Sequence, residues 1–268
     1  MTDATRRGFL GLVSAGATTL LPARQALAAT DQGAVSTTDD ACILTPQSES
    51  GPYYLDPKLV RADIAEGRPG VPLRLRLRVI EGGACTPIPG ARIDVWHCDA
   101  RGLYSGFPGQ SDNHKIDQSG KTFLRGTQMA DAAGWAGFDT IYPGWYAGRA
   151  THIHFRVFLD EATVLTGQTF FPEALNEFIY GNVPDYTGRP KPRLVINVND
   201  RVATEADPDH RAYCAVKEAR DHYLATLTLA VSRKPAAAVE MPAGRLPPAP
   251  WIKDRLAALV PGLKRSPF

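Results

Sequence analysis

The chain has 268 residues, with 30 basic and 28 acidic side chains giving a formal charge of +2. A hydrophobic content of 44% against 22% charged residues is that of a globular chain able to bury its own core. The near balance of charge offers no basic surface for nucleic acid or an anionic membrane, and 24 Gly and 22 Pro, recurring as PG, GG and GP pairs, favour a β-rich chain with many turns.

The N-terminal residues read as an address. Thr5-Arg6-Arg7-Gly8-Phe9-Leu10 is a twin-arginine pattern, an apolar stretch runs from Gly8 to Leu21, and Ala26-Leu27-Ala28 supplies small residues for cleavage. The apolar run is too short to span a bilayer comfortably. Residues 1–28 are therefore expected to be a removed signal that sends the protein through the twin-arginine machinery to a periplasmic or extracellular destination. Residues 29–50 form a polar, turn-rich leader, residues 51–233 the domain, and residues 234–268 a proline-rich tail.

Within the domain, Leu73-Arg-Leu-Arg-Leu-Arg-Val-Ile80 alternates with period two, as a half-buried strand does, with Arg74, Arg76 and Arg78 on its wet face. Gly82-Gly83, Pro87 and Pro89-Gly90 punctuate a connection into a second alternating strand over 91–97. If these two strands form a hairpin, a Cys85–Cys98 bond is too long to close. Further short strands are expected near 122–128, 135–141, 152–159 and 193–198, and helices over 172–180 and 208–224, the latter starting at Asp207-Pro208. Short strands at close intervals imply an all-β antiparallel sandwich with short helices. Cys42, Cys85, Cys98 and Cys214 allow up to two disulfides in an oxidising compartment, in three pairings, and no CxxC spacing supports a cysteine-held zinc.

The sharpest local feature is Arg149-Ala-Thr-His152-Ile-His154-Phe155. In a strand, His152 and His154 face the same way and present two imidazoles side by side. Such a pair is a metal arrangement or, alone, two polar residues on an exposed face. Tyr104 and Tyr146, with Tyr142 as a rival, stand in Gly/Pro-rich loops and are either ordinary loop aromatics or phenolate ligands. Two His with two Tyr would suit a hard trivalent ion such as Fe(III). No Gly-x-Ser-x-Gly elbow or His-Glu-x-x-His is present to support a hydrolase or a copper or zinc enzyme built on the pair.

Taken in order, Gly51-Pro52-Tyr53-Tyr54, Pro89-Gly-Ala-Arg-Ile-Asp-Val-Trp96, Gly102-Leu-Tyr104, Phe123-Leu-Arg-Gly126, Gly134-Trp-Ala-Gly-Phe138, Pro143-Gly-Trp-Tyr146, Arg149 to Phe155 and Leu165-Thr-Gly-Gln168 resemble the intradiol ring-cleavage dioxygenases. The resemblance covers roughly Thr45 to Asn199, and the Trp-His-Cys-Asp stretch resembles the secreted branch of that family. It implies one non-haem Fe(III) per chain, held by Tyr104, Tyr146, His152 and His154, with Tyr146 the ligand displaced by substrate. It further implies Arg149 as the active-site arginine, Gln168 near the reacting face, and Pro52 and Tyr53 bordering the substrate. The implied reaction opens a catechol-type ring between its two hydroxylated carbons with O2, giving a cis,cis-muconate-type diacid. The alternative is an inactive secreted β-sandwich binding module derived from the family. The stretch between Tyr146 and His152 is shorter than in the catechol and protocatechuate enzymes, so catechol, protocatechuate and hydroxyquinol all stay open as substrates, as does a homo-oligomeric assembly. His97 is expected to be structural rather than a ligand.

Overall fold

The computed structural model describes residues 43–56 and 58–237. The twin-arginine segment, Cys42, the first part of the leader and the tail beyond residue 237 lie outside the described residues. Among the described residues, eight strands form two four-stranded sheets. One has the order β4 (Trp135–Ile141), β1 (Pro72–Glu81), β8 (Tyr223–Val231), β7 (Ala215–Glu218), and the other β3 (Arg125–Met129), β2 (Arg92–Trp96), β5 (His152–Leu159), β6 (Ala162–Phe170).

Period-two alternation builds the core between the sheets. Leu73, Leu75, Leu77 and Val79 of β1 and Ala225, Leu227 and Leu229 of β8 meet Ile93 and Val95 of β2 and Ile153, Phe155 and Val157 of β5 in one buried cluster. On the opposite face of β1, Arg74 pairs with Asp139, and Arg76 and Arg78 lie over the Trp135 ring. The segment before β1 clips the sheet edges: Val60 bridges Thr127 of β3, and Asp63 bridges Asp139 of β4. Residues 43–50 also join the domain, since the Thr45 amide donates to the Ala230 carbonyl and the Ser48 amide to the Thr166 carbonyl.

The sandwich expected from the sequence is present, but it differs in several places. β1 and β8 pair in parallel, whereas every other ladder is antiparallel. A parallel partner requires a long crossover, and almost the whole domain separates these two strands. β1 and β2 do not form a hairpin but lie in different sheets. Residues 208–224 are not a helix: Asp207 accepts the Arg211 and Ala212 amides at 2.7 and 2.8 Å to close a turn, and β7 and β8 follow. Local helix formers lose there to the antiparallel ladder that Ala215–Glu218 make with Tyr223–Thr226. Residues 193–198 are not a strand either. Arg193 binds Glu173 and Glu177 of α1 (Glu173–Asn182), and a 3-10 turn at Asn197–Asn199 leads into α2 (Arg201–Glu205). Helix α1 itself matches the expected helix over 172–180.

Cys98 and Cys214 are buried free thiols while Cys85 is disulfide-bonded, so neither is its partner and two disulfides do not form. Burial pushes the Cys214 thiol up to about 12, and Thr169, which hydrogen-bonds it, only partly opposes that.

Candidate active site

Strand β5 sets the site by alternation. Ile153, Phe155 and Val157 enter the core, so His152 and His154 face away from it, yet only 2% and 1% of their surface is exposed. Loops cover them. Tyr104 comes from the connection after β2 and Tyr146 from the one after β4, and these connections pack backbone against backbone. Gly144 donates its amide to the Asp99 carbonyl, and a Cβ there would lie 2.5 Å from the carbonyls of Asp99 and Ala100. A Cβ on Gly102, whose φ is +80°, would lie 2.2 Å from the Trp145 carbonyl. Only glycine allows that approach, and it is what brings the two tyrosines together.

Four side-chain donors converge as a result. His152 Nε2 lies 3.1 Å from His154 Nε2, 3.1 Å from Tyr146 Oη and 3.4 Å from Tyr104 Oη. Ligands at ~2.0–2.2 Å from a common metal, at angles near 90–110°, stand about 2.8–3.6 Å apart. The His152 Nδ1–H donates to the Ala150 carbonyl at 2.7 Å, which leaves the Nε2 lone pair aimed at the other donors. His154 Nδ1 is buried without a partner among the described residues. Its ring is held instead by stacking on Trp96, with centroids 4.8 Å apart and planes within 6°.

Burial, aided by Arg149 and, for His154, by His152, keeps both imidazoles well below their ordinary pKa, and burial raises both tyrosines above that of a free phenol. Without a cation the cluster is therefore neutral, with two lone pairs available and two phenolic protons to lose. A trivalent ion would reverse that balance by stabilising phenolate. Among the described residues no group of three or more His, Cys, Asp and Glu side chains is placed to hold a metal, so an ion at the histidine pair needs the phenols. The donor set fits such an ion.

The cluster opens onto a cleft of about 660 Å³ whose walls include Pro52, Tyr53, Tyr104, Tyr146 and Arg149. Tyr53 stacks on Tyr104 with centroids 4.5 Å apart. Gln168, expected beside the substrate, is buried behind Arg149 rather than on the cleft wall: its Oε1 accepts from Arg149 and its Nε2 donates to the Glu49 carbonyl at 3.0 Å. Tyr142 is directed elsewhere, donating to Asn176 at 2.7 Å. His97 is fully buried between the Cys98 carbonyl and the Thr140 hydroxyl, each at 2.8 Å, and burial pushes it down to about 4.

Sequence reasoning missed Asp200, which binds the Arg149 Nε at 2.9 Å and is itself fully buried. Burial opposes the charges of both residues, and each offsets that for the other, holding Asp200 below and Arg149 above the usual range. The available signal was Asp200 as a helix-capping residue ahead of Arg201-Val-Ala-Thr, which does not by itself point to Arg149, 51 residues away.

Comparison with known proteins gives the same picture. The family model described as Dioxygenase matches residues 49–213. An intradiol ring-cleavage dioxygenase from Tetranychus urticae is 29% identical and superposes with a TM-score of 0.65, over 73% of this chain and 98% of that one. The dioxygenase domain of a dioxygenase–carbohydrate-binding protein fusion from Streptomyces sp. SirexAA-E is 27% identical, with a TM-score of 0.50 over 70% of this chain and 98% of that domain. A chlorocatechol 1,2-dioxygenase from Pseudomonas sp. (strain P51) is 32% identical over 143 residues, 45% of this chain and 53% of that protein. A catechol 1,2-dioxygenase from Acinetobacter lwoffii is 28% identical over 150 residues, 46% of this chain and 45% of that protein. The chain thus spans about half the length of the curated relatives it matches. With the family model matching residues 49–213 of 268, and Pro52, Tyr53, Tyr104, Tyr146 and Arg149 gathered around one cleft, the chain belongs to the intradiol ring-cleavage dioxygenase family.

Proposed function

We propose that this protein is an exported dioxygenase that uses one non-haem Fe(III) to open catechol-type rings between their two hydroxylated carbons. The observation that carries this is the convergence of His152, His154, Tyr104 and Tyr146 at a cleft that Arg149 lines. Those four side chains would hold the ion. When bound, it would act as a Lewis acid on the diol oxygens and draw electron density from the ring, making a ring carbon reactive towards O2.

The residues divide the remaining work. Tyr104 is almost fully buried and stacked under Tyr53, which suits a permanent ligand. Tyr146 is only half-buried, with exposed Ala147 and Gly148 after it, so its Oη is the group placed to turn towards an incoming diol and take one of its protons. Pro52 and Tyr53, which line the cleft, would border the bound ring. Arg149 offers a fixed guanidinium to charge that develops on the substrate, an effect typically worth ~3–4 kcal/mol. The products would be cis,cis-muconate-type diacids. Export is proposed from the twin-arginine pattern and the Ala26-Leu27-Ala28 site.

One preparation tests both halves. The full chain is expressed with its own N terminus, the exported fraction is purified, and a visible spectrum is taken before and after anaerobic catechol. A processed, red-brown protein whose band moves to longer wavelength is expected. Protein retained unprocessed in the cytoplasm would remove the export reading. A colourless, iron-free protein even when iron is supplied would remove the ferric site and put the inactive binding module in its place.

A further inference from the structure

Asp200 is not a wall of the cleft, yet its carboxylate reaches two groups that the proposed reaction needs. Its Oδ2 accepts the Arg149 Nε–H at 2.9 Å and the Ala150 amide at 2.6 Å, while its Oδ1 accepts the Ala203 amide at 3.0 Å and caps α2. Ala150 in turn gives its carbonyl to His152 Nδ1 at 2.7 Å. One fully buried carboxylate is thus bonded to the arginine directly and to the first histidine through a single residue.

We infer that Asp200 is a positioning residue for ring cleavage, fixing the Arg149 guanidinium so that one nitrogen faces the substrate. The inference rests on the proposed function. The guanidinium is held at two points: Nε by Asp200 and Nη2 by Gln168, which is itself anchored on the Glu49 carbonyl. A contact at Nη2 alone would leave the group free to swing, whereas bonds at Nε and Nη2 together fix its plane. Nη1 has no hydrogen-bond partner among the described residues, and Arg149 lines the cleft, so Nη1 is the donor left for substrate. The fixed geometry comes before any substrate arrives, which is the condition under which a charged donor aids a transition state most. The carboxylate also lets the arginine stay charged although its side chain is only 11% exposed.

The test is a double-mutant cycle on the iron-loaded enzyme, with Asp200→Asn, Arg149→Gln and the two combined. Asp200→Asn should lower kcat by roughly 10–100-fold, as the loss of such supporting partners does, with KM moving by less than about 3-fold. Added to Arg149→Gln, it should lower kcat no further, because a residue that acts through the arginine has nothing left to position. Equal losses in both backgrounds would overturn the inference and make Asp200 a structural group only. If Asp200→Asn does not accumulate as folded protein, Asp200→Ser keeps the helix cap and goes through the same cycle.

A second readout needs no turnover. In protein loaded with gallium(III), a diamagnetic stand-in for ferric iron, the Arg149 Nε–H should give a resolved, slowly exchanging NMR signal. In Asp200→Asn that signal should shift and exchange faster, and an unchanged signal would overturn the inference. A wild-type protein that cleaves no diol would contradict the proposed function alone, since the NMR arm is decided without catalysis.

Discussion

Strands β1 and β5 follow the same grammar and end in opposite environments. Each sends alternate aliphatic or aromatic residues into the shared core, Leu73, Leu75 and Leu77 from one and Ile153, Phe155 and Val157 from the other. Each carries basic or imidazole side chains on its other face. On β1 that face is wet: the Arg74 and Asp139 side chains are 51% and 57% exposed. On β5 it lies under the tyrosine-bearing loops, and His152 and His154 are 2% and 1% exposed. Alternation therefore decides which side chains share a face, and the cover laid over that face decides whether they can do chemistry. Burial raises the cost of every charge and strengthens every pairing there.

The largest break in this comparison comes from removing a covered imidazole. His152→Ala or His154→Ala should abolish iron uptake and colour, a loss exceeding the ~10–100-fold cost of removing a supporting partner. The fold should persist, because the core face of β5 is untouched. Elemental analysis with far-UV circular dichroism reads both, and a folded variant holding one iron per chain would show that the pair is not the ligand set.

This asymmetry also explains what could be read from the residues alone. The strand over 135–141, the pairing of His152 with His154 on one face and the two tyrosine loops were legible, because period two and Gly/Pro punctuation are local signals. β6 was missed because its hairpin with β5 turns on Asp160-Glu161, both at positive φ of 47° and 66°, without the glycine that normally marks such a turn. The helix expected over 208–224 takes in β7 and only the first two residues of β8; β8 pairs with β1, which lies far away in sequence, and pairing across such a distance leaves no local trace. Asp200 and Glu49 went unseen for the same reason: their partners Arg149 and Arg201 are brought to them by the fold.

A smaller effect sharpens the role of burial beyond the ligands. His97, fully buried at the end of β2, is pushed down to about 4 from 6.5, chiefly by burial. The folded state holds it neutral, whereas the unfolded chain protonates it below about pH 6.5. Unfolded chain then binds more protons, so stability is fully present above pH 6.5 and falls as pH drops towards 4. The contribution is at most about 3 kcal/mol at ~1.4 kcal/mol per pKa unit. Urea unfolding of the metal-free protein at pH 7 and pH 4.5 should show the wild type losing more stability on acidification than His97→Gln. Equal losses in the two proteins would mean that His97 is not held neutral.

The smallest expected effect belongs to the wet strand, and it bears most directly on the comparison. Arg74→Ala removes an ion pair between side chains that are each about half exposed, on a face where water can replace every bond that is lost. Exposed pairs of this kind are worth roughly 0–1 kcal/mol, so the urea midpoint should barely move and ring cleavage should not change. A loss above about 2 kcal/mol is outside the range of an exposed pair. It would mean that the outer face of β1 is covered in solution as that of β5 is, by a second copy of the chain or by its own residues beyond 237. Cover would then not distinguish the two strands, and the site's position would have to follow from which loops carry tyrosine and glycine rather than from which face is shielded.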